Sequence, residues 1–183
     1  MHTFLFADLV GFTALSIERG DEQAADVATR FQREVRVLAA RHDATVVKSL
    51  GDGAMVRARD AGAALQLGLE LANGLDGLPP VRVGLNTGPA VERDGDFFGS
   101  AVNLAARLSQ AARGGEVLLS EATRAAARRR RPRLEQRGAR TFRNARDPVV
   151  VYAASERLPL RTRLLALKRR FACPAMAART KAA

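Results

Sequence analysis

A single cysteine, Cys173, stands in a chain of 183 residues, so neither a disulfide nor a cysteine-built metal site can form within it. That usage suits a reducing compartment, and the expected location is the cytoplasm. Aromatic residues are scarce, with no tryptophan and one tyrosine, Tyr152. Base-stacking platforms are built from aromatic rings, and with eight phenylalanines beside that one tyrosine the composition speaks against a nucleic-acid binder. Long apolar runs are missing too. Every window of 18 residues contains a charge, which excludes a transmembrane helix. Residues 1–7 are too short for a signal peptide and carry no basic start, so none is expected.

Acids disappear beyond Glu156. Eight of the 30 cations and none of the 19 acids lie in residues 157–183, so residues 1–156 carry 22 basic against 19 acidic groups. The net charge of +11 is therefore largely a property of the tail, and no nucleic-acid partner is expected for the body. The chain divides accordingly into a domain, 1–156, and a basic tail, 157–183. In the tail Leu160, Leu164, Leu167 and Phe171 form one helical stripe, with Arg161, Lys168, Arg169 and Arg170 elsewhere on the wheel. Such a segment suits an anionic membrane surface or a partner protein, and it equally suits a helix packed on its own domain with solvated cations.

What is present is an alternation of short strands and amphipathic helices. Residues 3–7 read as a buried strand ending at Asp8. Apolar residues recur at three and four from about 22 to 42, from Ala25 through Phe31 and Val35 to Ala39, which predicts a helix. Residues 45–50, the triplet Gly51-Asp52-Gly53 and residues 54–58 read as a hairpin. Asp60 can cap a second helix carrying Leu65, Leu67, Leu69 and Leu71, which Pro79-Pro80 excludes from going further. A strand over 81–87, a glycine-bracketed loop over 95–99, a helix over 101–112 and a strand over 116–119 follow. A helix from Ser120 toward Arg131 and two β segments, 140–142 and 149–153, complete the expectation. The order β-α-β-β-α-β with further elements behind it predicts an α+β fold with a ferredoxin-like core and additional C-terminal strands and helices.

Two carboxylates stand where strands end. Asp8 closes the first strand and Asp52 occupies the hairpin turn, and in a ferredoxin-like sheet those two strands can lie side by side. Paired carboxylates suit Mg2+ or Mn2+. Gly11-Phe12-Thr13 opens a helix whose backbone N–H groups could hold phosphate. Lys48 lies in an apolar strand, Asp96 in the glycine-flanked loop, and Asn103 and Arg107 share one helix face. Each residue taken singly has an ordinary structural account, as a turn former, a helix start or a snorkelling side chain.

Together they resemble the class III adenylyl/guanylyl cyclase catalytic domain. Four motifs carry the resemblance: residues 6–13 (FADLVGFT), 47–55 (VKSLGDGAM), 83–88 (VGLNTG) and 95–108 (GDFFGSAVNLAARL). The likeness runs from about Thr3 to Ala154. It implies that Asp8, Asp52 and the carbonyl of Leu9 hold two Mg2+ or Mn2+ ions per site, and that Gly11, Phe12 and Thr13 hold the triphosphate. It further implies that Lys48 and Asp96 read the purine, that Asn103 orients the ribose and that Arg107 stabilises the transition state. In guanylyl members the base-reading pair is usually Glu and Cys, so Lys48 and Asp96 imply ATP, converted to cyclic AMP. The resemblance also implies an antiparallel homodimer in which each site takes its aspartates from one protomer and the other four residues from its partner. Two other classes stay open at this point: a nucleotide-binding regulatory module without turnover, and a charge-driven nucleic-acid binder.

Overall fold

A computed structural model describes residues 1–127, 132–143 and 147–156. The tail 157–183 and the arginine run 128–131 lie outside the described residues. Strand β1 (His2–Leu9) is followed by helices α1 (Phe12–Arg19) and α2 (Asp21–Arg41), then β2 (Ala44–Leu50), β3 (Gly53–Ala58), α3 (Ala61–Ala72) and β4 (Val81–Gly88). Two short strands, β5 (Val91–Arg93) and β6 (Asp96–Phe98), precede α4 (Ser100–Ala111). Then come β7 (Val117–Ser120), α5 (Glu121–Ala126), β8 (Arg133–Arg140) and β9 (Val149–Ser155), the last of the described elements.

Seven strands form one sheet in the order β2-β3-β1-β4-β7-β9-β8, and β5 and β6 form a separate ribbon. The first four strands give the expected ferredoxin-like order, with β1 antiparallel to both β3 and β4. Strand β7 extends the sheet parallel to β4, which requires the α4 crossover between them. The α+β class and the ferredoxin-like core with added C-terminal elements are as expected.

Alternation along β1 divides the core. Leu5, Ala7 and Leu9 join Phe31 and Val35 of α2 and Leu65 of α3 in the larger cluster. Phe4 and Phe6 point to the other face, against Met55, Phe97, Ala101 and Ala105. Asp8 shares the parity of Phe4 and Phe6, so it belongs to the α4 face, at the end of the strand. Asp60 caps α3 as expected, its Oδ1 accepting from the Ala63 N–H at 2.7 Å.

Three expectations need correction. The loop over 95–99 contains strand β6, paired to β5 through a two-residue turn in which Asp94 and Gly95 both have positive φ. The strand expected at 140–142 lies earlier, over Arg133–Arg140, because its pairing with β9 starts at Arg133↔Ser155. Its exposed, charged residues hid it, as suits a strand on the sheet edge. The helix expected to run toward Arg131 ends at Ala126 within the described residues.

Helix α4 sits on β4 at backbone contact distance. A β-carbon placed on Gly84 would lie 2.0 Å from the Ser109 nitrogen and 2.4 Å from the Ala105 carbonyl oxygen. Only glycine permits that approach. Gly84→Ala is expected to lower the unfolding free energy by about 3 kcal/mol, the upper end of the usual cost of overpacking. Gly88→Ala, whose β-carbon would press on the side chain of Ala101 at 2.7 Å, is expected to cost less. Urea denaturation of the two variants measures the difference.

Candidate active site

The two acids of the strand ends are brought together. Asp8 lies across from Gly53 in the β1–β3 register, next to Asp52 in the turn, and the Leu9 N–H donates to the Asp52 carbonyl at 3.1 Å. The turn itself is two residues, with Gly51 at φ +67°, the first turn position that needs glycine in such hairpins. The Gln32 side chain of α2 donates to the Gly51 carbonyl at 2.8 Å and steadies it. Burial, and then the charge of Asp8, push the Asp52 carboxyl above its ordinary range.

Two carboxylates that repel each other suit a divalent cation, and oxygen donors are the chemistry Mg2+ and Mn2+ prefer. Among the described residues no three His, Cys, Asp or Glu side chains converge. Asp8 and Asp52 therefore fit an ion that completes its shell with carbonyl, phosphate or water oxygens, which is the ordinary habit of Mg2+. One residue here was not singled out from the sequence. Arg82 of β4 is the register partner of Asp8 and donates to its Oδ2 from Nε at 2.8 Å and from Nη2. An arginine within a strand motif gives no sign of its cross-strand partner, so only the register reveals the pair.

Lys48 and Asp96 also meet, far from each other in sequence. Lys48 Nζ donates to Asp96 Oδ2 at 2.6 Å, while Asp96 Oδ1 accepts from the Phe97 N–H at 2.8 Å. These two bonds, the lysine first, hold the Asp96 carboxyl below its ordinary range. A bulge in β2 makes the meeting possible. The β2–β3 register jumps from Val46↔Val56 to Lys48↔Met55. An unbroken ladder would set Lys48 opposite Ala54, which faces the side covered by α2 and α3. The extra residue turns Lys48 onto the face of Met55, where β6 presents Asp96. The Phe98 ring lies 5.9 Å from the ammonium.

Asn103 and Arg107 share a cleft of about 740 Å³ together with Asn86, Thr87, Phe142 and Arg143. Asn86 fixes its floor: its Nδ2 donates to the Ala101 carbonyl at 3.0 Å, and its Oδ1 accepts from Ser120 Oγ at 2.6 Å. Arg143, one residue beyond the segment expected as a strand over 140–142 and not singled out from the sequence, is a second cation on this cleft. Phe12 and Thr13 open α1, and no side chain caps that helix at Gly11. The ten candidate residues thus fall into an acid pair with Leu9, a Lys–Asp pair, an Asn–Arg cleft and an open helix start. Among the described residues no hydrogen bond or ion pair links Asp8 or Asp52 to Lys48, Asp96, Asn103 or Arg107. No helix among the described residues is long and apolar enough to cross a membrane.

The adenylate cyclase of Streptomyces griseus is 38% identical to this chain over 120 residues, covering 64% of it and 30% of the relative. The matched stretch spans only 30–32% of the length of this and two other curated adenylate cyclases that the chain resembles. The crystal structure of the adenylyl cyclase CyaB from P. aeruginosa superposes with a TM-score of 0.73 at 27% identity, covering 85% of this chain and 93% of that one. The guanylyl cyclase Cya2 does so with a TM-score of 0.72 at 26% identity, covering 85% and 91%. The profile of a family described as the adenylate and guanylate cyclase catalytic domain matches residues 2–155, nearly the whole of the described fold and all ten candidate residues, and the chain belongs to that family.

Proposed function

We propose that this domain converts ATP to 3′,5′-cyclic AMP and pyrophosphate, as a homodimer with two equivalent sites. The observation that carries the choice of ATP is the Lys48–Asp96 pair, held on one face by the β2 bulge. Lys48 can donate to adenine N1 and Asp96 can accept from the exocyclic amine. Guanine presents the opposite pattern, a donor at N1 and an acceptor at O6, and would set donor against donor at Lys48 and acceptor against acceptor at Asp96.

Asp8, Asp52 and the Leu9 carbonyl would hold Mg2+ or Mn2+, two ions per site, and the chemistry such ions would supply is a more acidic ribose 3′-hydroxyl and positive charge against the triphosphate. Backbone N–H groups of Gly11, Phe12 and Thr13 face the phosphate oxygens at the uncapped start of α1. The 3′-oxygen attacks the α-phosphorus, the bond to the β-phosphate oxygen breaks, and pyrophosphate leaves. Asn103 orients the ribose for that line of attack. Arg107 sets a fixed cation where negative charge grows, and Arg143 adds a second along the same cleft.

A homodimer is supported by the separation of the groups on one protomer. The cleft of Asn103 and Arg107 includes neither Asp8 nor Asp52. An isologous pairing lets the acids of one copy face the other four residues of its partner.

Purified protein incubated with ATP and Mn2+ is expected to form cyclic AMP, and nucleotide binding without product would instead support a regulatory module. Asp52→Ala abolishes the product, and Arg107→Ala lowers kcat about 10²–10³-fold. Lys48→Glu combined with Asp96→Cys raises the ratio of GTP to ATP turnover about tenfold or more. Mixing Asp8→Ala with Arg107→Ala chains restores about a quarter of wild-type activity, through one intact site in each mixed dimer. Confirmed mixed dimers that stay inactive would rule out sites shared between protomers.

A further inference from the structure

Arg82 takes no part in the chemistry above, yet it makes the most direct contact with a proposed metal ligand. Its guanidinium places two N–H donors, Nε at 2.8 Å and Nη2, on one oxygen of Asp8, Oδ2. The other oxygen, Oδ1, lies over Gly53, 3.2 Å from where a β-carbon on that residue would stand. Neither side chain is fully enclosed, with exposures of 30% for Arg82 and 27% for Asp8. The Arg82 backbone cannot drift. Strand β4 is flanked by β1 and β7, and the Arg82 carbonyl accepts from Ser109 Oγ of α4 at 3.4 Å. The same guanidinium also favours the charged form of Asp52, opposing the effects of burial and of Asp8.

We infer that Arg82 is a resident counter-ion of Asp8 that competes with the divalent cation for Oδ2. The inference rests on the reading that Asp8 and Asp52 hold that cation. A carboxylate oxygen must come within about 2.0–2.2 Å of Mg2+ or Mn2+, with a lone pair aimed at the ion. Oδ2 already aims its lone pairs at two guanidinium N–H groups, and a second cation at that spacing is repelled by the first. The ion and the guanidinium therefore exclude one another at Oδ2. When no ion is bound, Arg82 offsets the repulsion between two neighbouring carboxylates and keeps Asp8 aligned. An ion that takes Oδ2 has to displace it. Arg82 is a positioning residue that sets how tightly the site takes metal.

Mn2+ binding to the full chain without nucleotide, followed through the electron paramagnetic resonance signal of free Mn2+, tests this. Arg82→Gln removes the charge and is expected to tighten Mn2+ binding about tenfold. Arg82→Lys keeps the charge but loses the two-pronged hold on Oδ2, so a smaller gain, about threefold, is expected. A residue that merely supported the fold would, on removal, weaken binding or leave it unchanged. Unchanged or weaker binding by Arg82→Gln with a wild-type circular dichroism spectrum overturns the competition. If wild-type binding is still lost in Asp52→Asn, the metal-site reading survives that result. If the wild type shows no binding that depends on Asp52, both readings fall together. Should Arg82→Gln not fold, Arg82→Lys decides in the same sense: tighter binding supports the competition, and unchanged binding overturns it.

Discussion

The close seat of α4 on β4 organises this domain. At Gly84 the two backbones touch without an intervening side chain, and at Gly88 only the methyl group of Ala101 separates them. A helix lying at that depth cannot slide along the strand, because the glycines act as notches and neighbouring residues as walls. Ser109 adds a hydrogen bond to the Arg82 carbonyl, and Asn86 adds one to the Ala101 carbonyl. Helix α4 is thereby fixed at both ends relative to one strand. That strand also carries Arg82, and its neighbour β1 carries Asp8. The positions of Asn103 and Arg107 on the helix and of the acid pair beside it are thus set by one shared rod of backbone.

Two of the three acids singled out as site residues are answered by a neighbouring cation. Asp8 has Arg82, Asp96 has Lys48 and a backbone N–H, and the Asp52 carboxyl is raised by burial and then by the charge of Asp8. Both ion pairs are partly open to solvent, which screens them and makes them easy to part. A site that has to exchange its internal partners for a charged ligand benefits from pairs that hold geometry without holding tightly. A fully buried pair would resist the exchange, because separating its members leaves uncompensated charge.

Much of this was readable from residue order. The alternation on β1, the helix stripe of α2, the Gly51-Asp52-Gly53 turn and the Asp60 cap each rest on local rules, and the structure shows those elements. The convergence of Asp8 and Asp52 followed from the ferredoxin-like strand order alone. The Asp94-Gly95 hairpin carried a strong turn signal but lacked the flanking alternation that makes such turns visible. The edge strand β8 presents almost only polar residues, so no hydrophobic pattern marks it. The Arg82–Asp8 pair, the Lys48–Asp96 bond and the floor that Asn86 builds all depend on register between elements distant in sequence. One-residue differences in register are invisible to propensity and periodicity, and they decide which side chains meet.

The irregularity in β2 has a consequence for how this sequence can change over time. Along a strand, odd and even positions look out on different worlds, and here one side is roofed by α2 and α3 while the other holds α4 and the ligand-facing groups. The supernumerary residue at Val47 swaps the two from that point on. Between Val46 and Asp52 the chain therefore has a strict arithmetic. Losing or gaining one residue would point the ammonium of Lys48 into hydrocarbon, while losing or gaining two would preserve its outlook. Length variation among descendants of this domain should accordingly collect in the segment after α3 or in the turn between β5 and β6, and the seven residues 46–52 should not gain or lose a single residue even where their side chains drift.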